Sequence, residues 1–180
     1  MAKKDINSPH PFSHLDESGA ARMVDVTEKS VTSRRAIARG SILLGPAIME
    51  AVVKQKVKKG DVLAVARVAG IMAAKNTPNA IPLCHPLSLT GCEIDFRLDQ
   101  DNNILSCQCI VTTDGKTGVE MEALSGVTGA LLSVYDMCKA IDKGMVIGPV
   151  TLVEKSGGKS GLWRAKGSKE SKGSKERKEV

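Results

Sequence analysis

The chain has 180 residues, 42% of them hydrophobic but only 2% aromatic, and a formal net charge of +6. That length suits one domain with tails, and the core has to be built from Val, Leu, Ile, Met and Ala. No apolar run approaches the roughly 20 residues of a membrane-spanning helix, and the N-terminus lacks the apolar segment of a signal peptide.

The charge is unevenly placed. Nine of the 26 basic residues, but only three of the 20 acidic ones, lie from Lys155 onward. The body is therefore neutral, and the end, AKGSKESKGSKERKEV, reads as a solvated, disordered tail of low complexity. Five cysteines without a CxxC pair argue against a disulfide framework or a structural zinc site and for a reduced, cytoplasmic setting.

Residues 1–20 carry turn formers and two prolines without periodicity, which predicts a flexible arm. Met23-Val24-Asp25-Val26 is too short to assign. Ile37, Ile42 and Leu43 suggest a strand over 32–44, with Arg34, Arg35 and Arg39 on it. Pro46 fits the first turn of a helix running to about Val57 through Ile48, Met49, Val52 and Val53. Asp61 is placed to cap a second helix to about Lys75. Residues 76–86 hold three prolines and predict an extended loop. Two strands, 89–98 and 104–113, are joined as a hairpin, and 146–153 reads as a last strand.

Between them, GKTGVEMEALSGVTGALLSVYDMCKAIDKG (115–144) predicts one long helix, entered through a glycine-rich turn and stopped at Gly144. Leu124, Val127, Leu131, Val134, Cys138 and Ile141 form its apolar stripe. A neighbouring stripe of Glu122, Ser125, Gly129, Ser133, Asp136 and Ala140 is small or polar, which suggests that another surface comes close. The order of elements predicts an α+β, ferredoxin-like chain, βαββαβ with an extra helix.

Several groups could carry chemistry. Gly115-Lys116-Thr117 and Gly158-Lys159-Ser160 invite a nucleotide reading, but neither has the upstream glycine of a P-loop; a flexible turn with a solvated lysine is the commoner meaning. Asp136 and Lys139 lie three apart on one helical face, where spacing alone indicates a surface ion pair. Glu120 and Glu122 diverge on a regular helix. Glu122 and Asp136 share a face but stand roughly 21 Å apart along the axis, at 1.5 Å per residue. No small ligand joins them within one subunit, so if both are functional an oligomer with a site between subunits is the economical answer. His85, in Pro82-Leu83-Cys84-His85-Pro86-Leu87, is the only histidine outside the arm. A metal site would pair adjacent Cys84 and His85 with Cys107 or Cys109, a poor fit to tetrahedral zinc, so no metal is expected.

The strings MVDV (23–26), KKGDV (58–62), IPLCHPL (81–87), GKTGVEMEAL (115–124), YDMCKA (135–140), MVIGPV (145–150) and EKSGGKSG (154–161) resemble the cyclic pyranopterin monophosphate synthase family of molybdenum cofactor biosynthesis. The resemblance runs from about Met23 to Gly161 and implies a catalytic domain over 21–161 between the arm and a tail at 162–180. It further implies a ferredoxin-like homohexamer, a trimer of dimers with sites between subunits. The implied reaction converts 3',8-cyclo-7,8-dihydro-GTP to cyclic pyranopterin monophosphate and pyrophosphate, a phosphorus–oxygen lyase step. By motif, Asp136, Lys139 and Lys59 become catalytic, and Leu83, Cys84, His85, Glu120, Met121, Glu122, Lys75, Lys155 and Arg34 bind substrate. No cofactor is implied, although Mg2+ could accompany the triphosphate. No membrane or specific nucleic-acid partner is implied either. The competing expectations are a noncatalytic RNA-binding module, which would want stacking aromatics on its sheet, and a generic nucleotide phosphohydrolase.

Overall fold

The computed structural model describes residues 18–166; most of the expected arm and the tail beyond Lys166 lie outside the described residues. The element order is β1 (Thr32–Leu43), α1 (Pro46–Val53), α2 (Val62–Lys75), α3 (Thr77–Ala80), β2 (Gly91–Asp99), β3 (Ile104–Gly115), α4 (Glu120–Cys138), β4 (Val146–Ser156) and β5 (Trp163–Arg164). The strands form one sheet in the order β2-β3-β1-β4-β5, with every pairing antiparallel. The first four strands have the order of a ferredoxin-like sheet, and β5 extends its edge.

Alternation along the strands sorts the two faces. Ala36, Ala38 and Ile42 of β1 and Leu105, Cys107, Cys109 and Val111 of β3 are buried, with α4 lying over these strands and α2 over β2. The intervening Arg35, Arg39, Ser106 and Gln108 are only half-buried. Among the described residues no aromatic belongs to the buried core; aliphatic side chains and cysteines fill it. Among the described residues, no helix is long and apolar enough to cross a membrane.

The second helix starts where its cap predicts. The Asp61 carboxylate accepts from the Ala64 N–H at 3.0 Å, satisfying one of the open donors of the first turn. The long helix is shorter than its sequence suggests. It begins at Glu120 and ends at Cys138, because Ile141 N–H returns to the Cys138 carbonyl and turns the chain. Gly144 is therefore not the helix stop; its N–H is bound by the Asp142 side chain at 2.8 Å. Ile141, expected on the apolar stripe, is exposed. The proline-rich loop also differs, since Thr77–Ala80 makes one helical turn with the Thr77 hydroxyl donating to Ala74 O at 3.0 Å.

The surface that approaches the small stripe is α2. A Cβ on Gly70 would lie 2.8 Å from the Gly126 carbonyl oxygen, and one on Gly129 would overlap the Ala73 methyl. The helices thus meet almost backbone to backbone, and α4 runs over the sheet centre without bulky spacers. Gly70→Ala is expected to destabilise the protein. Overpacking costs about 1–3 kcal/mol, more than the ~1 kcal/mol that alanine returns in helix propensity. Thermal denaturation should show a midpoint lower by several degrees, at about 2–4 °C per kcal/mol for this chain length. An unchanged midpoint would mean that the two helices separate freely.

Candidate active site

Helix α4 holds chemically useful groups at both ends. Asp136 occupies its last turn and Lys139 its C-terminal cap, where a cation also suits the helix dipole. Asp136 Oδ1 lies 2.7 Å from Lys139 Nζ and Oδ2 lies 2.8 Å from Lys59 Nζ. Lys59 also donates to the Asp136 backbone carbonyl at 2.8 Å. It arrives from the turn between α1 and α2, where Gly60 takes φ +100° and lets the chain reverse before Asp61 caps α2.

All three side chains are substantially exposed. Hydrogen bonds from Lys139 and then Lys59, reinforced by their charges, hold the Asp136 carboxyl at about 2. The same contact raises the Lys139 ammonium above its usual range. At neutral pH the trio is an ionised carboxylate between two charged amines, facing solvent and able to receive a polyanion at its cations.

The other end of α4 borders a hollow of about 400 Å³. Leu83, Cys84, His85, Glu120, Met121 and Glu122 all line it, as do Val24, Val26 and Lys29. Glu122 is 3% exposed. Burial raises its carboxyl pKa, its own backbone N–H acts in the opposite sense, and neighbouring Glu120 raises it further. Cys84 is likewise pushed up by burial and then by the Glu122 charge, which keeps it a thiol rather than a nucleophilic thiolate. His85 Nε2 lies 2.7 Å from the Val24 carbonyl oxygen. A carbonyl only accepts, so this nitrogen carries the proton.

A third group of residues borders the same end. Lys155 Nζ lies 3.1 Å from Glu120 Oε1 and donates to the Ser160 hydroxyl at 3.2 Å. Arg34 donates from Nε to Gly115 O at 2.9 Å and from Nη2 to Lys116 O at 3.1 Å. Gly157 and Gly158, both at positive φ, pass so close to β1 that a Cβ on Gly157 would collide with the Ser33 carbonyl oxygen and one on Gly158 with the Arg34 guanidinium. One guanidinium therefore fixes the loop before α4 beside the turn after β4.

Within the chain, the expected residues fall into two places. Asp136, Lys139 and Lys59 meet at the C-terminal end of α4. Glu120, Glu122, Met121, Leu83, Cys84 and His85 share the hollow, with Lys155 attached through Glu120 and Arg34 fastened to the adjoining loop. Lys75 joins neither group; it ends α2, exposed, and its charge reaches Cys92. Sequence reasoning missed Val24, Val26 and Lys29 as lining residues; the two valines lie in the short MVDV string, and Lys29 had no signal. Cys107 and Cys109 are buried in the core, away from the lining that contains Cys84 and His85. A larger hollow of about 470 Å³ lies against the open sheet face near Arg39, Arg97 and Gln108. None of the expected residues lines it, so size is outweighed here by chemistry.

The ion trio gives a direct test. Carboxyl NMR titration should place the Asp136 midpoint near 2, and Lys139→Ala should move it upward toward an ordinary aspartate. A midpoint unchanged by that substitution would contradict the contact. Because the folded value is depressed, the contribution of this carboxylate to stability is present above the unfolded value of about 3.9 and is lost as pH falls through about 2. Solvent exposure keeps that contribution small.

Comparison with known proteins agrees with the motif pattern. The profile described as MoaC family matches residues 23–158. The chain is 57% identical over 152 residues to the cyclic pyranopterin monophosphate synthase of Thermoanaerobacter pseudethanolicus, covering 84% of this chain and 96% of that protein. It is 52% identical over 162 residues to the protein of the same name from Halalkalibacterium halodurans, covering 89% and 98%. The corresponding protein of Parvibaculum lavamentivorans is 51% identical over 155 residues, covering 86% and 97%. Profile and relatives span both ends of α4 and the loops around them, and the chain belongs to the MoaC family.

Proposed function

We propose that the protein is a cyclic pyranopterin monophosphate synthase of molybdenum cofactor biosynthesis, converting 3',8-cyclo-7,8-dihydro-GTP to cyclic pyranopterin monophosphate and pyrophosphate. The observation that carries this is the placement of acids and cations at the two ends of α4 in a chain matching full-length relatives of that name. A phosphorus–oxygen lyase acting on this substrate must rebuild a purine-derived ring, close a cyclic phosphate and expel pyrophosphate. Those steps need proton carriers and positive charge on the leaving group.

The roles divide by environment. Buried Glu122, with its raised pKa, offers a carboxyl that exchanges protons at higher pH than an ordinary glutamate. Together with Cys84, His85 and Met121 it lines a cavity wide enough for a fused ring. Lys155 and Arg34 stand beside it with fixed positive charge for phosphate. Asp136 holds Lys59 and Lys139 in one place as ammoniums, and an arriving triphosphate would compete with the carboxylate for them. Once displaced from its lysines, Asp136 regains basicity and can accept a proton, while Lys139 stabilises charge on the departing pyrophosphate.

The two ends of one helix are too far apart to hold a single substrate. We infer that a second copy brings its Asp136, Lys59 and Lys139 to the hollow of the first, within a homohexamer arranged as a trimer of dimers. Exposed Val65, Val68 and Met72 of α2 and Leu132 of α4 support assembly. The three on α2 share one helical face, and apolar surface of this kind is used for association.

The purified protein, given the cyclic dihydro-GTP compound, should release pyrophosphate and yield a fluorescent pterin after oxidation. Pyrophosphate from ordinary GTP without pterin would favour a plain phosphohydrolase instead. Lys139→Ala and Lys59→Ala should each lower kcat by about two to three orders of magnitude, the loss typical of one electrostatic donor; near-normal turnover would remove them from the mechanism. Mixed assemblies of inactive Asp136→Ala and inactive Glu122→Ala chains should regain a fraction of wild-type turnover, since some sites then combine two intact halves. Mixtures that assemble together yet stay inactive would rule out the shared site.

A further inference from the structure

The lysine of Gly115-Lys116-Thr117 is absorbed by none of the roles above, yet it is not idle. Its ammonium donates to the Thr27 carbonyl at 2.6 Å, across a sequence gap that joins the loop before α4 to the segment ahead of β1. Lys116 does not itself line the hollow, whereas Val24, Val26 and Lys29 do. From Arg22 to Val31 the chain has neither helix nor strand, so no ladder of backbone hydrogen bonds keeps it against the body. It is held at points instead. His85 Nε2–H donates to Val24 O at 2.7 Å and Lys116 holds Thr27. Within the segment, Asp25 accepts from the Thr27 N–H at 2.8 Å and its hydroxyl at 2.6 Å, and Lys29 N–H closes a turn on Val26 O at 3.0 Å. The Asp25 carboxylate also lies within electrostatic reach of both Lys116 and His85.

We propose that residues 23–29 are a detachable wall of the hollow and that Lys116 is a positioning residue, the latch that seats this wall so that substrate is held. The proposal rests on the hollow being the substrate site. It reassigns the glycine–lysine turn: the ammonium is spent on a backbone carbonyl outside the cavity, where a phosphate-binding lysine would have to lie inside it. The wall contributes two apolar surfaces, Val24 and Val26, and one cation, Lys29, to a cavity whose opposite side carries Glu120 and Glu122. Unlatching should therefore weaken capture of the substrate while leaving the groups on α4 in place.

Two measurements on the full-length protein decide it. Hydrogen exchange of the ligand-free protein should show the Thr27 and Lys29 amides exchanging faster in Lys116→Met by on the order of tenfold, the size expected for losing one charge-assisted hydrogen bond. Steady-state kinetics should show KM raised by a similar factor with kcat little changed. Lys116→Arg, which can still donate to the carbonyl, should restore both, and Lys56→Met should alter neither. Unchanged exchange overturns the latch. Faster exchange with unchanged KM shows that the wall is not part of the site, and raised KM with unchanged exchange shows that Lys116 meets the ligand directly. Should Lys116→Met fail to fold, Asp25→Ala loosens the same segment; the Thr27 amide then loses its own acceptor, so exchange is read at the Lys29 amide alone, together with KM. Should the wild type form no pterin, the functional assignment fails separately. The latch is then judged by exchange together with the Kd for inorganic tripolyphosphate, and tripolyphosphate binding that is absent or indifferent to the latch overturns the wall's role.

Discussion

The contact between α2 and α4 decides where everything else sits. Gly70 and Gly129 leave only backbone and the methyls of Ala73 and Ala130 between the two helices, and Gly126 lets α4 settle onto Cys109 of β3, so the separations are set by atoms without adaptable rotamers. Close-packed surfaces of this kind have little room to shift without overlap. The stiffness matters because α4 carries glutamates at its start and Asp136 near its finish. With α4 fixed over the sheet centre, the loop carrying Lys59 and the loop carrying Leu83, Cys84 and His85 each have a defined place to meet it.

The acids at the two ends are kept in opposite conditions by opposite means. Asp136 is exposed and flanked by two ammoniums, so its proton is held weakly. Glu122 is buried at the edge of a cavity, so its proton is held more firmly than usual. Such divergence between carboxyls in one enzyme is the usual basis for assigning separate proton roles. It also shows why the residue type in a motif is only half of the information; solvent and neighbours supply the rest.

Much of the fold was legible in the sequence. The Asp61 cap, the hairpin of β2 and β3 and the extent of β1 all follow from local chemistry, and the structure places them within a residue or two, although of the residues that suggested β1 only Ile42 is buried. The small stripe on α4 correctly signalled a close neighbour. What escaped was decided at longer range or by irregular backbone. The early end of α4 depends on Ile141 returning to Cys138, which no periodicity announces. The role of residues 23–29 depends on His85 and Lys116, more than fifty residues away in sequence. The candidate residues named by motif gather at the two ends of α4 apart from Lys75, and of the cavity wall from Val24 to Lys29 only the MVDV string stood out, with nothing in it to mark a wall.

Because a single uninterrupted helix separates the two groups, α4 acts as a measuring rod with an angular scale as well as a linear one. Inserting one residue in its middle would displace the YDMCKA end by only about 1.5 Å but swing it by roughly 100°. Asp136 would then leave Lys59 behind, even though every side chain in both groups was still present. Evolution of this helix is therefore far freer in composition than in length: its exposed positions can drift, while its residue count is locked by the rotation that sets one end against the other.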